Sequence, residues 1–228
     1  MSEEALQQPV RKNARSAKNN RRGDGWQAEK SAMTRKAILD AAVSCFVDKG
    51  YARTTTALIA EYAGVSRGAM MHHFPSRIAV IHAVVNYLHE MRLREYETLM
   101  TGIDAPDGSM SRAAVRRSVE AAWEYSNMPS FVAYHELLAA ARTDAELDAV
   151  ISGVEKDFEK QFLAAAKNVF PHWKDTSVID AAHDLVHFTM RGMALSHLIT
   201  KKSQRAKRII DILTDELVAL YEHEAKLN

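Results

Sequence analysis

The chain of 228 residues contains one cysteine, so no internal disulfide framework can hold it together. Five prolines and nine glycines are few for that length, and the runs between them carry helical rather than alternating periodicity. That pattern favours an all-α chain over a fold of many short strands joined by sharp turns. No run is apolar for long enough to span a membrane and no N-terminal stretch resembles a secretory signal, so the chain is expected in the cytoplasm. Also lacking are a phosphate-binding glycine loop, a nucleophile-base-orienter set and a paired-carboxylate arrangement, and we expect neither an enzyme nor a cofactor. What is present is 47% hydrophobic content, enough for a sizeable core in an all-α chain. The single Cys45 falls on the apolar face of a helix, where a small buried hydrophobe is expected rather than a redox sensor.

The net charge of +1 conceals an asymmetry. Residues 1–80 carry 13 Lys+Arg against 7 Asp+Glu, and residues 81–228 carry 17 against 22. Within the first thirty residues Arg11, Lys12, Arg15, Lys18, Arg21 and Arg22 follow one another with no acidic residue between, in a stretch almost without apolar periodicity. That stretch reads as a disordered basic arm over 1–30, either a solvated tail or an arm that tracks phosphates or enters a minor groove.

From Thr34 to Lys49 the residues Ile38, Leu39, Ala42, Cys45 and Phe46 share one helix face and lead into Gly50-Tyr51. Next, Ile59, Ala60 and Ala63 recur at helical spacing and stop at Gly64, the residue best able to take the left-handed conformation that ends a helix. Ser66 is placed to cap a following helix that turns Met70 and Phe74 inward at i and i+4. Its other face carries Arg67, Ala69, His72 and His73. The small residues Ala60, Ala63 and Gly68 are expected to let the two helices cross closely. After Phe74, Pro75 breaks the helix and Ser76 caps the next. Two short helices joined by a glycine turn, the second with a low-bulk, donor-rich face, suit insertion into a DNA major groove.

In Ile38, Ala42, Phe46, Gly50, Tyr51, Thr55, Ile59, Ala60, Ala63, Gly64, Val65, Ser66, Gly68, His73, Phe74 and Ser76, residues 33–80 resemble the DNA-binding domain of the tetracycline-repressor (TetR) family of transcriptional regulators. The resemblance implies an N-terminal three-helix helix-turn-helix domain and a C-terminal helical domain that binds a small effector and dimerises. It implies DNA contacts from Thr54, Thr55, Thr56, Ser66, Arg67, Gly68, Ala69, Met71, His72, His73 and Arg77. Met71 departs from the tyrosine usual at its position and cannot donate a hydroxyl to a phosphate, whereas Arg77 keeps the charge of the commoner lysine.

Beyond the motif, helices are expected over Ile78 to about Met100, Ser109–Ser126, Phe131–Arg142, a capping box at Thr143 and Glu146 leading to about Val169, Thr176 to about Thr200, and Ser203 to about Lys226. Gly102–Gly108 and Phe170–Asp175 read as a loop and a turn. That makes nine helices, divided into the arm 1–30, a DNA-binding domain 31–77 and an effector-binding and dimerisation domain 78–228. The next-to-last helix carries two apolar stripes, so it needs cover on two sides. Leu185, Phe188, Gly192, Leu195 and Ile199, with Ile209, Leu213, Leu217 and Leu220 on the last helix, are expected to form a four-helix dimer interface with a second copy. Met91, Trp123, Phe131, His135, Phe162, His187, Met190 and Arg191 are candidate effector contacts, suggesting a mainly apolar ligand with a few polar anchors. His183 and His187 stand at i, i+4 like a zinc-binding pair, but no third ligand is marked and no metal is expected. The reading is a homodimeric repressor released from operator DNA by a small molecule. The alternatives are a ligand-independent DNA-binding protein and a metal-dependent enzyme using His183 and His187.

Overall fold

A computed structural model describes the backbone of residues 13–103, 111–169, 177–200 and 203–225; side chains at 13–24, 158–159, 162–163, 166–169, 177–179, 197–200, 203 and 223–225 lie outside the description. Among the described residues there are nine helices and no strand. They are α1 (Asn13–Lys49), α2 (Thr56–Tyr62), α3 (Arg67–His73), α4 (Arg77–Met100), α5 (Arg112–Tyr125), α6 (Pro129–Ala141), α7 (Ala145–Val169), α8 (Ser177–Thr200) and α9 (Ser203–Ala225).

Local chemistry sets the boundaries of the first four. α1 stops at Gly50, whose φ is 76°, and α2 at Gly64, whose φ is 65°. The amides of Gly64 and Val65 donate to the carbonyls of Glu61 and Ala60, the double return that satisfies the last carbonyls of a helix closed by a left-handed residue. The Thr55, Ser66 and Ser76 hydroxyls accept from the amides of Leu58, Ala69 and Ala79 at 3.1 to 3.2 Å, so α2, α3 and α4 each begin on a side-chain cap.

Two expectations need correction. The arm expected to be disordered over 1–30 is, from Asn13 onward, helix continuous with α1, while residues 1–12 lie outside the description. The cap of α7 is Asp144 rather than Thr143: Asp144 Oδ1 accepts from Leu147 N at 3.0 Å, and the Thr143 hydroxyl turns back to the Ala140 carbonyl. The turn expected at 170–175 and most of the loop at 102–108 also lie outside the description.

One core runs through both expected domains. Ile38, Ala42, Phe46, Ile59, Met70 and Phe74 pack with Val80, Val84 and Leu88 of α4 and onward with Tyr134, Leu137, Leu147 and Ile151 of α6 and α7. Two smaller cores follow, one where α4, α5 and α6 converge around Tyr96, Tyr125 and Phe131, the other joining α5, α8 and α9 through Val115, Val119, Met190, Leu213 and Leu217. Cys45 is wholly buried, and burial pushes its thiol up to about 11, leaving it protonated and unreactive at neutral pH. No helix among the described residues is long and apolar enough to cross a membrane.

Candidate DNA-reading face and buried polar cluster

The short α3 is held by Met70 (1% exposed) and Phe74 (3% exposed), its two inward residues. Ser66, Arg67, Gly68, Met71 and His72 remain exposed on the opposite side, with Ala69 and His73 half-buried. Burial, then His72 and Arg35, lowers the His73 pKa and favours its neutral ring. The Arg35 guanidinium of α1 sits 4.9 Å from the Phe74 ring, so α1 buttresses the C-terminal end of α3. Gly68 does not serve a close helix crossing, because a Cβ there would meet only the Ser66 hydroxyl, at 3.8 Å. The fold leaves that position open.

Of the residues expected at this face, Thr54 is spent elsewhere and Arg77 is held by Tyr51. Thr54 is 3% exposed and its hydroxyl donates to the Gly50 carbonyl at 2.8 Å, closing the α1–α2 turn instead of facing DNA. Arg77 places its guanidinium 4.3 Å from the Tyr51 ring and donates to Tyr51 Oη at 3.0 Å, yet it stays exposed, so Tyr51 orients its charge without neutralising it. Thr55 is engaged as the α2 cap, and Thr56 is half-buried.

Tyr51 is the centre of a link that the sequence reading missed. Its hydroxyl donates to Asp144 Oδ2 at 2.8 Å, and its amide donates to Glu136 Oε1 at 2.8 Å. The α1–α2 turn is therefore tied to α6 and to the cap of α7. Gly50 is favoured by its φ of 76°, and a Cβ there would stand 2.8 Å from Glu136 Oε1, pushing aside the carboxylate that accepts from the Tyr51 amide. Only the Gly50-Tyr51 pair is marked in the sequence; Glu136 and Asp144 carry no local sign of the contact.

Deeper in the body, Arg92 of α4 is 3% exposed, with its guanidinium 4.0 Å from the Tyr134 ring. His89 meets the same ring edge-on at 5.2 Å, and Phe131 stacks on His135 at 3.9 Å. Tyr125 stands between Tyr96 and Phe131, Ser130 bonds to Glu95, and the Tyr134 hydroxyl bonds to Glu155. Burial, aided by neighbouring cations, pushes His89 down to about 4, His135 to about 3 and His187 to about 4, so all three are neutral near pH 7. Of the expected effector contacts, Phe131, His135, His187 and Arg191 belong to this neighbourhood. Met190 is buried in the α5–α8–α9 core and Met91 is half-buried. The Phe162 side chain lies outside the description. Trp123 instead lines an open groove of about 810 Å³ between α5, the start of α6 and α9. Arg92 carries no local sign of burial, because beside Arg94 and Glu95 it reads as part of a solvated charged face.

On α8 the stripe Leu185 (41% exposed), Phe188 (60%), Gly192 and Leu195 (41%) faces outward, while Met190 is buried and Val186 and Met193 are half-buried. The Ile199 side chain lies outside the description. On α9, Ile212 and Leu220 are exposed and Ile209 is half-buried, but Leu213 and Leu217 are only 5% exposed. Those two leucines pack on Val115 and Val119 of their own chain, which removes them from an interface with a second copy. His183 and His187 stack at 5.9 Å, and among the described residues no three His, Cys, Asp or Glu side chains form a metal-binding group.

The family model described as "Bacterial regulatory proteins, tetR family" matches residues 38–84, the segment from α1 into α4. The HTH-type transcriptional regulator CymR of Pseudomonas putida is 26% identical over 191 residues, covering 80% of this chain and 88% of that protein. The HTH-type transcriptional regulator TtgR, also of Pseudomonas putida, is 45% identical over 62 residues, 27% of this chain and only 30% of its own length. Among solved structures, Salmonella enterica GusR superposes with a TM-score of 0.59 at 20% identity, over 82% of this chain and 94% of that one. A tetR-family transcriptional regulator from Streptomyces coelicolor gives 0.58 at 15% identity, over 85% of each chain.

Proposed function

We propose, from the premise that the chain belongs to the tetR family of DNA-binding transcriptional regulators, that it is a homodimeric repressor which grips operator DNA through α3 and releases it when a small effector enters the body. The observation that carries this reading is the outward face of α3. Arg67, Gly68, Met71 and His72 stand free on a helix fixed from behind by Met70 and Phe74. Arg67 offers a bidentate donor to a guanine edge, and the bare Gly68 lets the helix approach the groove. Met71 supplies apolar contact to a thymine methyl. The Ser66 and Thr55 hydroxyls accept from their cap amides and keep their own O–H to donate to a phosphate, a contact that sets the helix in register. We divide the chain at the start of α4 into a reader, 31–77, and a body, 78–228, which share the core described above.

The exposed stripe Leu185-Phe188-Gly192-Leu195, with Ile212 and Leu220, supports pairing of α8 and α9 with their two-fold copies. The effector occupies the neighbourhood of Phe131, His135, His187 and Arg191. Aromatic walls favour a ring system, and neutral histidines and Arg92 supply polar anchors.

Selection of binding sites from a random duplex pool tests the reading. It should enrich near-palindromes whose half-sites lie about one helical turn apart, ~34 Å, or a multiple of that. No enrichment, or enrichment of asymmetric single sites by a dimer, would overturn it. Release is tested by screening compounds for a rise in melting temperature: a ligand at about 100 times its Kd stabilises by ~2.7 kcal/mol and should dissociate the operator complex.

A further inference from the structure

We propose that the N-terminal extension of α1, residues 13–34, is a second DNA-contact element that lies on duplex flanking the half-site read by α3; the proposal rests on that DNA-reading assignment. Three observations carry it. The first is direction. α1 is fixed to α4 where Tyr87 bonds to Asp40 and where the Lys36 ammonium stands 5.8 Å from the Tyr87 ring, and it meets the end of α3 through Arg35. Residues 25–33, exposed throughout, therefore leave the packed domain at the C-terminal end of the reading helix. The second is reach. Residues 13–34 are one uninterrupted helix, and at ~1.5 Å per residue they span about 33 Å, close to one turn of B-DNA.

The third is chemistry. The extension carries Arg15, Lys18, Arg21 and Arg22 before its first acidic residue, Asp24. Farther along, Trp26 is 63% exposed with the Lys30 ammonium 5.3 Å from its ring, and Met33 is 67% exposed. A run of cations without counter-charge is matched by a phosphate backbone, which binds cations through release of its condensed counterions. An exposed tryptophan beside a lysine suits sugar or base edges at the rim of a minor groove. A helix packed into its own domain would bury those two apolar side chains, whereas residues 25–33 are exposed throughout.

The test uses the full chain and its substituted form R15Q/K18Q/R21Q/R22Q, since glutamine keeps a helix propensity close to those of arginine and lysine. The probes are two duplexes carrying a site selected by the wild-type protein, one ending at the half-sites and one with ten further base pairs on each side. Wild type should bind the long duplex more tightly, with a steeper fall of log affinity against log salt, and should protect flanking phosphates from hydroxyl radical. The substituted chain should lose the advantage of the long duplex while still protecting the half-sites. Its salt slope should be shallower by about 0.9 for each phosphate released, ~3.6 if all four cations make contact. Equal affinities and slopes for the two proteins on both duplexes would overturn the arm alone. So would a substitution that alters sedimentation but not salt dependence, which would make the extension a contact between copies. Wild type that binds neither duplex overturns the α3 assignment and the arm with it.

Discussion

Replacing Phe188 with aspartate should split the proposed dimer without unfolding the protomer. Phe188 is 60% exposed on α8. A phenylalanine side chain buries about 200 Å² when fully covered, so seating its exposed part against a second copy removes about 120 Å² from water, and two-fold symmetry doubles this to about 240 Å². At ~25 cal/mol per Å² the two rings contribute about 6 kcal/mol to association, roughly four orders of magnitude in the dimer dissociation constant. Aspartate removes that contribution and adds like charges on facing surfaces, so Phe188→Asp should run as a monomer in sedimentation equilibrium from nanomolar to micromolar concentration. It should melt cooperatively near the wild-type temperature and bind operator only weakly, as a half-site. Leu217→Asp is the control. Leu217 is 5% exposed and packed in its own chain, so a buried unpaired charge there should abolish cooperative melting rather than yield a folded monomer. A Phe188→Asp protein that stays dimeric and binds operator normally, or a Leu217→Asp protein that folds as a stable monomer, would refute this placement of the interface.

Arg67→Ala should weaken operator binding by about 1 to 3 kcal/mol and relax sequence preference at the contacted base pair; an unchanged profile across operator variants would put another face in the groove. Gly50→Ala should cost about 1 to 2 kcal/mol through the left-handed backbone alone. Adding Glu136→Ala should recover only the steric part, and thermal melts of the two singles and the double measure that coupling. Tyr51→Phe keeps the ring under Arg77 but removes the donor to Asp144, so amide exchange should quicken in the α1–α2 turn; exchange identical to wild type would deny the link a mechanical role. Because His89, His135 and His187 have folded pKa values depressed below 6.5, the unfolded chain takes up protons first as pH falls. Stability should therefore be full above pH 6.5 and decline from there toward pH 4, by up to ~1.4 kcal/mol per pH unit for each histidine. A melting temperature that stays flat from about pH 7.5 to 5 would show that these rings are solvated.

The parts of the fold legible in the sequence are those fixed by neighbours in the chain. Gly64 closing α2 and Ser66 and Ser76 opening α3 and α4 each act within three or four residues, so residue type and spacing reveal them. The Asp144 cap was displaced by one position because Thr143 and Asp144 are both competent cap residues, and only the long-range bond to Tyr51 distinguishes the second. Leu213 and Leu217 pack within their own chain instead of against a second copy for a related reason. Periodicity says that a stripe is covered, not by what, and α5 reached them first. Thr54 lies beside true surface positions, yet its hydroxyl turns to a carbonyl four residues away, and the exposed Arg77 is oriented by a ring twenty-six residues away. Gly68 was read correctly as small and wrongly as close-packed, since empty space beyond a helix leaves no trace in sequence.

The Tyr51 link gives the molecule the mechanics of a lever. Its hydrogen bonds to Glu136 and Asp144, together with the shared core, leave the reader little freedom to swivel against α6 and α7, so a displacement in the body is transmitted rather than absorbed. α4 joins the two halves with 24 residues, an arm of about 36 Å at ~1.5 Å per residue. Over that length a tilt of about 5° carries the far end through ~3 Å, nearly the ~3.4 Å that separates successive base pairs. Two protomers tilting in opposite senses would double the error in spacing between their reading helices, and a duplex that does not stretch would hold only one of them in its groove.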